Sequence, residues 1–227
     1  MHKQAVIIFG PPGSGKSTQA ELLAKKYNFI YFDTGKYGAS LIYAPDALKD
    51  PILRRERRNY ETGGLFTPSW VLEFISKVTE HISRAGFNIV FSGSPRTAGE
   101  AFGDKKQKGL VQVLSRLYRK KNIIAIEFKI REKTTLQRNS GRRICSLCGL
   151  PILGKSKQNS CSFCSAPFQK RSDDKPETIK KRLVNYHSRT QPIIKEMKRQ
   201  GFKIVQINGE SLPYKVFERV KKVLKLE

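Results

Sequence analysis

The sequence predicts an α/β fold built on a parallel sheet, because short apolar runs alternate with helical segments along most of its 227 residues. Each run is almost continuously apolar, which is typical of strands covered on both faces. A chain of this length corresponds to one domain, or to one domain with a modest insertion. The five predicted strands are residues 5–9, 29–32, 88–91, 123–128 and 203–207.

Between these strands, apolar residues recur every three or four positions, as they do on the buried face of a helix. This spacing predicts helices over residues 17–27, 70–82 and 177–199. Asp174 and Glu177 lie three residues apart before the last of these stretches, with Pro176 between them. We therefore expect a capping box at the start of that helix, with the proline in its first turn.

Two segments interrupt the alternation of strands and helices. Residues 34–68 contain no strand pattern and are predicted to be a helical insertion. Residues 139–171 contain all four cysteines and six Lys or Arg but no Asp or Glu, and are predicted to be a separate mini-domain. The core would then consist of residues 1–138 and 172–227.

The composition is strongly basic, with 44 Lys and Arg against 19 Asp and Glu and a formal charge of +25. Such a surplus indicates anionic partners, namely phosphates, nucleic acid or an acidic surface, unless it is a general basic background. A hydrophobic content of 38% excludes a disordered basic tail. No run reaches the ~18 apolar residues of a membrane span, and no cleavage site follows the first apolar run. We therefore expect a cytoplasmic protein without membrane contact.

Residues 10–17 read GPPGSGKS and fit the phosphate-binding pattern G-x-x-x-x-G-K-[ST]. A predicted strand precedes the motif and a predicted helix follows it, which is the context that the motif requires. Glycines let backbone N–H groups face phosphate oxygens, while Lys16 can reach the β- and γ-phosphates and the Ser17 hydroxyl can bind Mg²⁺. The motif indicates a nucleotide but not the reaction. The expected ATP-binding residues of this loop are Gly13, Ser14, Gly15, Lys16, Ser17 and Thr18.

Further motifs follow along the chain. They are Thr34-Gly35, GLFTP at 64–68, GSPRT at 93–97, RNSGRR at 138–143, RSDDKPET at 171–178, Arg182-Leu183 and Asn208-Gly209. Together with residues 10–18, they resemble the adenylate kinase family of nucleoside monophosphate kinases over nearly the whole chain. In that family they form the two ends of the monophosphate-binding insertion, the acceptor-phosphate loop, the two ends of the lid and the end of the last strand.

The resemblance implies a P-loop kinase core with a five-stranded parallel sheet, a helical monophosphate-binding insertion and a small lid over ATP. It implies a monomer that transfers the γ-phosphoryl group of ATP reversibly to AMP, with Mg²⁺ bound to ATP. Arg96 would hold the acceptor phosphate, Arg138 and Arg142 would cover ATP, and Arg171 and Arg182 would clamp the transferred group. The other acceptor-binding positions that it implies are Thr34, Gly64, Leu65, Phe66, Gly93 and Glu100.

Four positions depart from the family pattern. The family has arginine, aspartate, phenylalanine and glutamine where this sequence has Ala39, Ser92, Ser94 and Glu100. The missing aspartate is the one that holds Mg²⁺ through water. Asp33, at the end of the second predicted strand, faces the same crevice, and our hypothesis is that it takes over this task. The alternative is that it is an N-cap or turn aspartate.

Glu100 leaves the acceptor base open. An ionised carboxylate only accepts hydrogen bonds, so it suits the N1–H and N2–H₂ donors of guanine better than the N1 acceptor of adenine. Glu100 also lies four residues after Arg96 and could pair with it on a helix. The acceptor base is therefore adenine or guanine, or the specificity for the base is relaxed.

The four cysteines are spaced Cys145-x₂-Cys148-x₁₂-Cys161-x₂-Cys164, as in two knuckles around one tetrahedral Zn²⁺. Four thiolates leave no position for water, so the predicted metal is structural. Two disulfides are the alternative.

Two other functions compete with a nucleotide kinase. Strong positive charge and a basic Cys₄ knuckle are also typical of a nucleic-acid-binding protein, in which the P-loop would be degenerate. A P-loop kinase with a non-nucleotide acceptor is the third possibility.

Overall fold

The computed structural model describes residues 3–152, 156, 158–170 and 174–227. All five predicted strands are confirmed, and they form one parallel sheet. The strands in chain order are β1 (Ala5–Phe9), β2 (Phe29–Phe32), β3 (Asn88–Ser92), β4 (Ile123–Lys129), β5 (Arg143–Cys145), β6 (Pro151–Ile152), β7 (Phe168–Gln169) and β8 (Lys203–Asn208). The parallel sheet has the order β2-β3-β1-β4-β8, while β6-β5-β7 form a small antiparallel sheet.

Helices connect the strands and cover both faces of the parallel sheet. They are α1 (Lys16–Tyr27), α2 (Thr34–Ile42), α3 (Pro51–Glu61), α4 (Pro68–Arg84), α5 (Ala98–Phe102), α6 (Leu110–Tyr118), α7 (Glu132–Ser140), α8 (Pro176–Asn185), α9 (Gln191–Arg199) and α10 (Pro213–Leu224). No helix of the described residues is both long and apolar enough to cross a bilayer.

Strand β1 lies at the centre and explains why the strand sequences are apolar throughout. Ile7 and its neighbours on one face join the core beneath α4, α6 and α9. Val6 and Ile8 on the other face join the core beneath α1 and α10. Every residue of β1 is buried, so neither face of this strand can carry a polar side chain without a partner.

The helical insertion is closed by a buried carboxylate. Glu56 of α3 is fully buried and accepts hydrogen bonds from the Thr67 N–H at 2.8 Å and the Thr67 hydroxyl at 2.6 Å. These bonds, with one from Arg55, hold the pKa of Glu56 below its usual value against the opposing effect of burial. The contact fixes the turn before α4.

The predicted domain boundaries stay predictions. They are 34–68 for the insertion, 139–171 for the mini-domain, and 1–138 with 172–227 for the core.

The prediction of one continuous helix over residues 177–199 is wrong. Residues 177–199 do not form a single helix, because a π-helical turn, Tyr186–Thr190, separates α8 from α9. Pro192 lies in the first turn of α9, where it lacks the N–H for a continuous helical ladder and its ring crowds the preceding turn.

The predicted capping box is also wrong. The N-cap of α8 is Lys175, with no side-chain cap. Asp174 instead accepts two hydrogen bonds from the Arg142 guanidinium, one from Nε at 2.8 Å and one from Nη2. A bidentate charge-assisted pair is stronger than a neutral capping bond, and it draws this carboxylate away from the helix.

Candidate active site

The loop between β1 and α1 has the backbone of an anion-binding loop. Gly13 has φ +74°, and a Cβ there would lie 2.6 Å from Asn139 Nδ2, so both conformation and space require glycine. No side chain caps the N-terminus of α1, and its first turn contains no acidic residue. The backbone N–H groups of the first turn of α1 are therefore available to bind a phosphate.

Lys16 is the cation of this loop. Its Nζ donates to the carbonyl oxygens of Gly10 and Pro11, both at 2.8 Å. The ammonium therefore lies against the loop that would enclose the β- and γ-phosphates. Ser14 is buried beside it, and Ser17 and Thr18 continue into α1.

A cluster of oxygen atoms lies at the carboxyl edge of the sheet, where β2 and β3 end and α1 begins. Ser17 Oγ is 3.2 Å from Ser92 Oγ, and the Tyr31 hydroxyl donates to Asp33 Oδ2 at 2.9 Å. Burial, reinforced by the Asp33 carboxylate, raises the pKa of Tyr31, which keeps its hydroxyl protonated as a donor. The Ser17 and Ser92 hydroxyls lie close enough to Tyr31 to offset part of the rise in its pKa.

Asp33 also fills the capping role that its position allows. Its Oδ1 accepts from the Lys36 N–H at 3.1 Å, which makes Asp33 the N-cap of α2. One oxygen therefore caps the helix while the other belongs to the cluster with Tyr31. Hydroxyl and carboxylate oxygens are the donors that Mg²⁺ prefers, so this set fits the ion chemically.

The loop after β3 holds Arg96 against its own backbone. Arg96 Nε donates to the Gly93 carbonyl at 2.6 Å, and a Cβ on Gly93 would lie 2.9 Å from Arg96 Nη2. Gly93 has φ +106°, and the following Ser94–Pro95 peptide is cis. Thr190 donates to the Arg96 carbonyl at 3.1 Å, which ties this loop to the π-helical turn.

Glu100 is used inside the same loop. Its carboxylate is buried and accepts from the Arg96 backbone N–H at 2.9 Å. Thr97 caps α5 by accepting from the Glu100 N–H at 3.2 Å, and the Thr97 hydroxyl lies 3.3 Å from the Glu100 carboxylate. Burial raises the pKa of Glu100, and the hydrogen bonds from Arg96 and Thr97 oppose that shift. The contact with Arg96 is through its backbone N–H, not through an ion pair on a helix face.

The predicted acceptor-binding residues of the insertion pack against one another and against its helices. Phe66 stacks on Tyr60 with ring centroids 5.3 Å apart and packs against Gly38, where a Cβ would come within 2.4 Å of the ring. Leu65 is half-buried beside it, and the Gly64 N–H donates to the Asn59 carbonyl at 2.8 Å. Thr34 Oγ1 is buried without a hydrogen-bond partner among the described residues.

The predicted lid arginines are held at the two ends of the lid. Arg138 donates to the carbonyl oxygens of Gly13, Gly209 and Glu210 at 3.3, 2.9 and 2.9 Å. It therefore links the phosphate loop to the turn after β8. Arg142 pairs with Asp174 across the base of the lid. Arg182 is half-buried on α8, and Arg171 lies outside the described residues.

The four cysteines converge on one point. Their Sγ atoms all lie within 4.8 Å of one another, with Cys145 to Cys164 at 3.4 Å and Cys148 to Cys161 at 3.6 Å. A tetrahedron with Zn–S distances of about 2.3 Å has edges of about 3.8 Å. All four cysteines are free, and their sulfur separations exceed the ~2.05 Å of a disulfide. The donor set fits zinc.

The two cysteine knuckles have the same backbone. Cys145 and Cys161 each accept, through their carbonyl oxygens, from the N–H four residues on, at 3.1 and 2.8 Å. Those residues, Gly149 and Ser165, both have positive φ, at 70° and 58°. Ser165 of the second knuckle therefore adopts the same left-handed backbone conformation as Gly149 of the first.

Two important residues and one pairing were not predicted from the sequence. Tyr31 appeared only as part of an apolar strand, and nothing in its pattern indicated the contact with Asp33. Glu56 lies in a run of charges, RRERR, that is typical of a solvated helix face. The pairing of Asp174 with Arg142 spans 32 residues, although each lies in a recognised lid motif.

These features define a class of protein. A phosphate loop between a parallel strand and a helix, with Lys16 held in the loop and a cysteine-bearing unit beyond it, is typical of a P-loop phosphotransferase. Sequence comparisons agree: a family model described as adenylate kinase matches residues 8–202. The adenylate kinase of Caldicellulosiruptor bescii is 31% identical over 226 residues, covering 97% of each chain. The adenylate kinase of Pyrococcus horikoshii is 31% identical over 225 residues, covering 96% of this chain and 94% of its own.

The chain therefore belongs to the adenylate kinase family. It is a phosphotransferase of the nucleoside monophosphate kinase type, and its substrates are ATP and a nucleoside monophosphate. Members of this family use Mg²⁺ with ATP.

Proposed function

We propose that this enzyme transfers the γ-phosphoryl group of ATP reversibly to AMP, forming two molecules of ADP. The observation that carries the choice of adenine is the position of Glu100. Its carboxylate already accepts the Arg96 N–H inside the loop, which removes the main argument for a guanine-reading carboxylate. The relatives at 97% coverage are adenylate kinases, which supports the same choice.

The chemistry requires positioning and charge rather than a general base. An oxygen of the acceptor phosphate attacks the γ-phosphorus, and the bond between that phosphorus and the β–γ bridging oxygen breaks. Lys16 and the N-terminus of α1 stabilise charge on the β- and γ-phosphates. Arg96 orients the acceptor phosphate, while Arg138, Arg142, Arg171 and Arg182 surround the donor and the transferred group. Mg²⁺, when bound with ATP, neutralises charge between the β- and γ-phosphates.

The acceptor is tested with a panel of AMP, GMP, CMP and UMP in a coupled assay for ADP. We expect AMP to have the highest kcat/KM, and Arg96→Ala to lower that value about 10²-fold through loss of a charged phosphate contact. Lys36→Ala, an exposed cation at the start of α2, is the matched control.

Glu100→Gln separates the two roles of Glu100 in the same assay. If Glu100 caps its loop, the variant changes thermal stability and leaves the order of acceptors unchanged. GMP as the best acceptor, with a shift toward AMP in Glu100→Gln, would contradict the proposal.

We propose that Ser17 and Asp33 hold the magnesium ion, Asp33 through water. Tyr31 supports this role because its hydrogen bond at 2.9 Å fixes the orientation of the Asp33 carboxylate. Ser92, which replaces the family's aspartate, contributes a neutral hydroxyl beside Ser17. The negative charge of the site would therefore come from β2 instead of β3.

Asp33→Asn tests this assignment without removing the cap of α2, because asparagine caps as well as aspartate. We expect the Mg²⁺ concentration for half-maximal turnover to rise about tenfold, since one charged partner of the ion is lost. Titration of Mn²⁺ by electron paramagnetic resonance, with a non-hydrolysable ATP analogue, should show the same weakening. Asp46→Asn, on the insertion, is the control, and an unchanged metal dependence in Asp33→Asn would refute the assignment.

We also propose that the four cysteines hold one structural Zn²⁺. The described lid has only short strands and no apolar core of its own, so a metal would replace the missing core. On the resemblance to adenylate kinases, we propose that the enzyme acts as a monomer in the cytoplasm.

A further inference from the structure

The catalytic arginines and Lys16 account for little of the charge, and much of the remainder lies at the opposite edge of the sheet. All five strands are parallel, so their amino ends share one edge, away from the phosphate loop. Six segments meet there: residue 3 and residues 25–28, 84–87, 119–122, 198–203 and 221–227. Together they contain thirteen Lys or Arg and one acidic residue, Glu227. We call these thirteen residues the basic edge: Lys3, Lys25, Lys26, Arg84, Arg119, Lys120, Lys121, Lys198, Arg199, Lys203, Lys221, Lys222 and Lys225.

Direct contacts show that the segments adjoin one another. Lys120 Nζ donates to the Gln200 carbonyl, and Lys203 Nζ donates to the Val223 carbonyl at 3.5 Å. The Tyr118 hydroxyl, just before residue 119, donates to the Phe87 carbonyl at 3.1 Å. With strands about 4.8 Å apart, the basic edge is about 20 Å wide.

Neighbouring acids leave most of this charge in place. Among the described residues, two members of the basic edge form ion pairs: Arg199 with Glu196 at 2.7 Å and Lys221 with Glu218 at 2.8 Å. Subtracting these two acids and Glu227 from thirteen cations leaves a side-chain charge of +10.

Helix C-termini at this edge also favour cations and explain part of the pattern. Helices α1, α4, α6, α9 and α10 end here, each with a partial charge of about −0.5, or about −2.5 in total. The remaining charge exceeds that sum about fourfold. Capping of helix dipoles therefore does not account for the basic edge.

We propose that the basic edge binds the phosphate backbone of nucleic acid without sequence preference. A strand in a duplex carries one phosphate per ~3.4 Å, so about six phosphates fit along 20 Å. Phe87, in the same segment as Arg84 of the basic edge, is 47% exposed and can stack on an unpaired base.

The apolar residues argue against a membrane at this edge. The apolar side of α10 is buried in the core through Val216, Phe217, Val220 and Leu224. In the six described segments that carry the basic edge, Phe87 is the single exposed large apolar residue. An interfacial helix needs a row of such residues to enter a bilayer, which favours nucleic acid over a lipid surface.

Because the active site lies at the carboxyl edge, the two sites do not overlap. Nucleic acid should therefore bind equally well with and without ATP, and phosphotransfer should continue in its presence. This independence also means that failure of one proposal leaves the other intact.

Fluorescence anisotropy with a labelled oligoribonucleotide of about 20 nucleotides tests the proposal, at KCl between about 50 and about 300 mM. The edge variant combines Lys121→Glu, Lys198→Glu and Lys222→Glu, all exposed side chains. The matched control combines Lys105→Glu, Lys106→Glu and Lys108→Glu, which changes the net charge equally on another surface. Each variant is also assayed for phosphotransfer, which both should retain.

We expect the wild type to bind with a Kd between about 10⁻⁶ and about 10⁻⁴ M, and affinity to fall steeply with salt. The edge variant should bind about tenfold more weakly. Its plot of log affinity against log salt concentration should be shallower by about two, since each of the three lost phosphate contacts contributes about 0.7 for a single strand. The control should stay within about threefold of the wild type. Equal weakening in both variants, no binding by the wild type, or binding only to vesicles of phosphatidylglycerol would overturn the proposal.

Discussion

Replacing Lys16 with alanine is expected to lower kcat for phosphoryl transfer by about 10³-fold or more. The size follows from the role of a fixed cation at the transferring phosphate, where the loss of one such charge costs about 10³ to about 10⁵ in rate. In the structure Lys16 Nζ already lies within the loop, 2.8 Å from the Gly10 and Pro11 carbonyls. Stopped-flow or coupled assays at saturating ATP measure the effect.

Lys25→Ala, an exposed residue of the same helix, is the control and should keep wild-type turnover. Circular dichroism melting should show both variants folded, because Lys16 is part-buried and its bonds to Gly10 and Pro11 join residues of one short loop. A loss of less than about tenfold in Lys16→Ala would mean that the loop does not carry the reacting phosphates.

Replacing Cys161 with serine is expected to release the zinc and abolish most of the activity. Structural zinc contributes about 10 to about 16 kcal/mol of apparent binding free energy in small domains, and the lid has little else to hold it together. Without an ordered lid, the pairing of Arg142 with Asp174 would no longer hold Arg142 in place, and the proposed closure of the lid over ATP would fail. Elemental analysis should fall from about one zinc per chain to a small fraction, and kcat should fall about 10²-fold.

Ser146→Ala is the control in the lid, since the structure gives Ser146 a backbone bond to Pro167 and no side-chain bond among the described residues. It should retain both zinc and turnover. A fully active wild type without metal, with a mass about 4 Da lower from two disulfides, would contradict the zinc assignment.

The framework of the fold could be predicted because its signals are local. Strand β1 is apolar at every position and lies between two layers, so its sequence alone indicates a doubly covered strand. The phosphate loop is equally local, since its glycines and Lys16 act within eight residues. These features do not depend on where distant parts of the chain lie.

The details that were predicted wrongly depend on distant partners or on competing signals. The apolar stripe through residues 177–199 continues past Pro192, and the stripe concealed the break that the proline causes. Asp174 fits a capping pattern locally, but a guanidinium from 32 residues away binds it instead. Glu100 illustrates the same limit, because its burial depends on how the Arg96 loop folds over it.

The sequence predicts the site residues that have a single role, such as the lysine of the phosphate loop. It does not predict how one side chain divides its atoms between two roles. Asp33 was expected either to cap α2 or to face the metal position, and in the structure its two oxygens divide between the helix and Tyr31. No sequence pattern distinguishes one such oxygen from the other. The contribution of Tyr31 became visible only from the 2.9 Å contact.

The most direct test of the account is to follow the phosphate itself. ATP radiolabelled at the γ-phosphate is incubated with the enzyme, AMP and Mg²⁺, and the products are separated by thin-layer chromatography. The proposed reaction predicts that the label appears in ADP, at its β-phosphate, and that this transfer stops when AMP is omitted. Label released as inorganic phosphate at the same rate with and without AMP would contradict a nucleoside monophosphate kinase and would indicate hydrolysis instead.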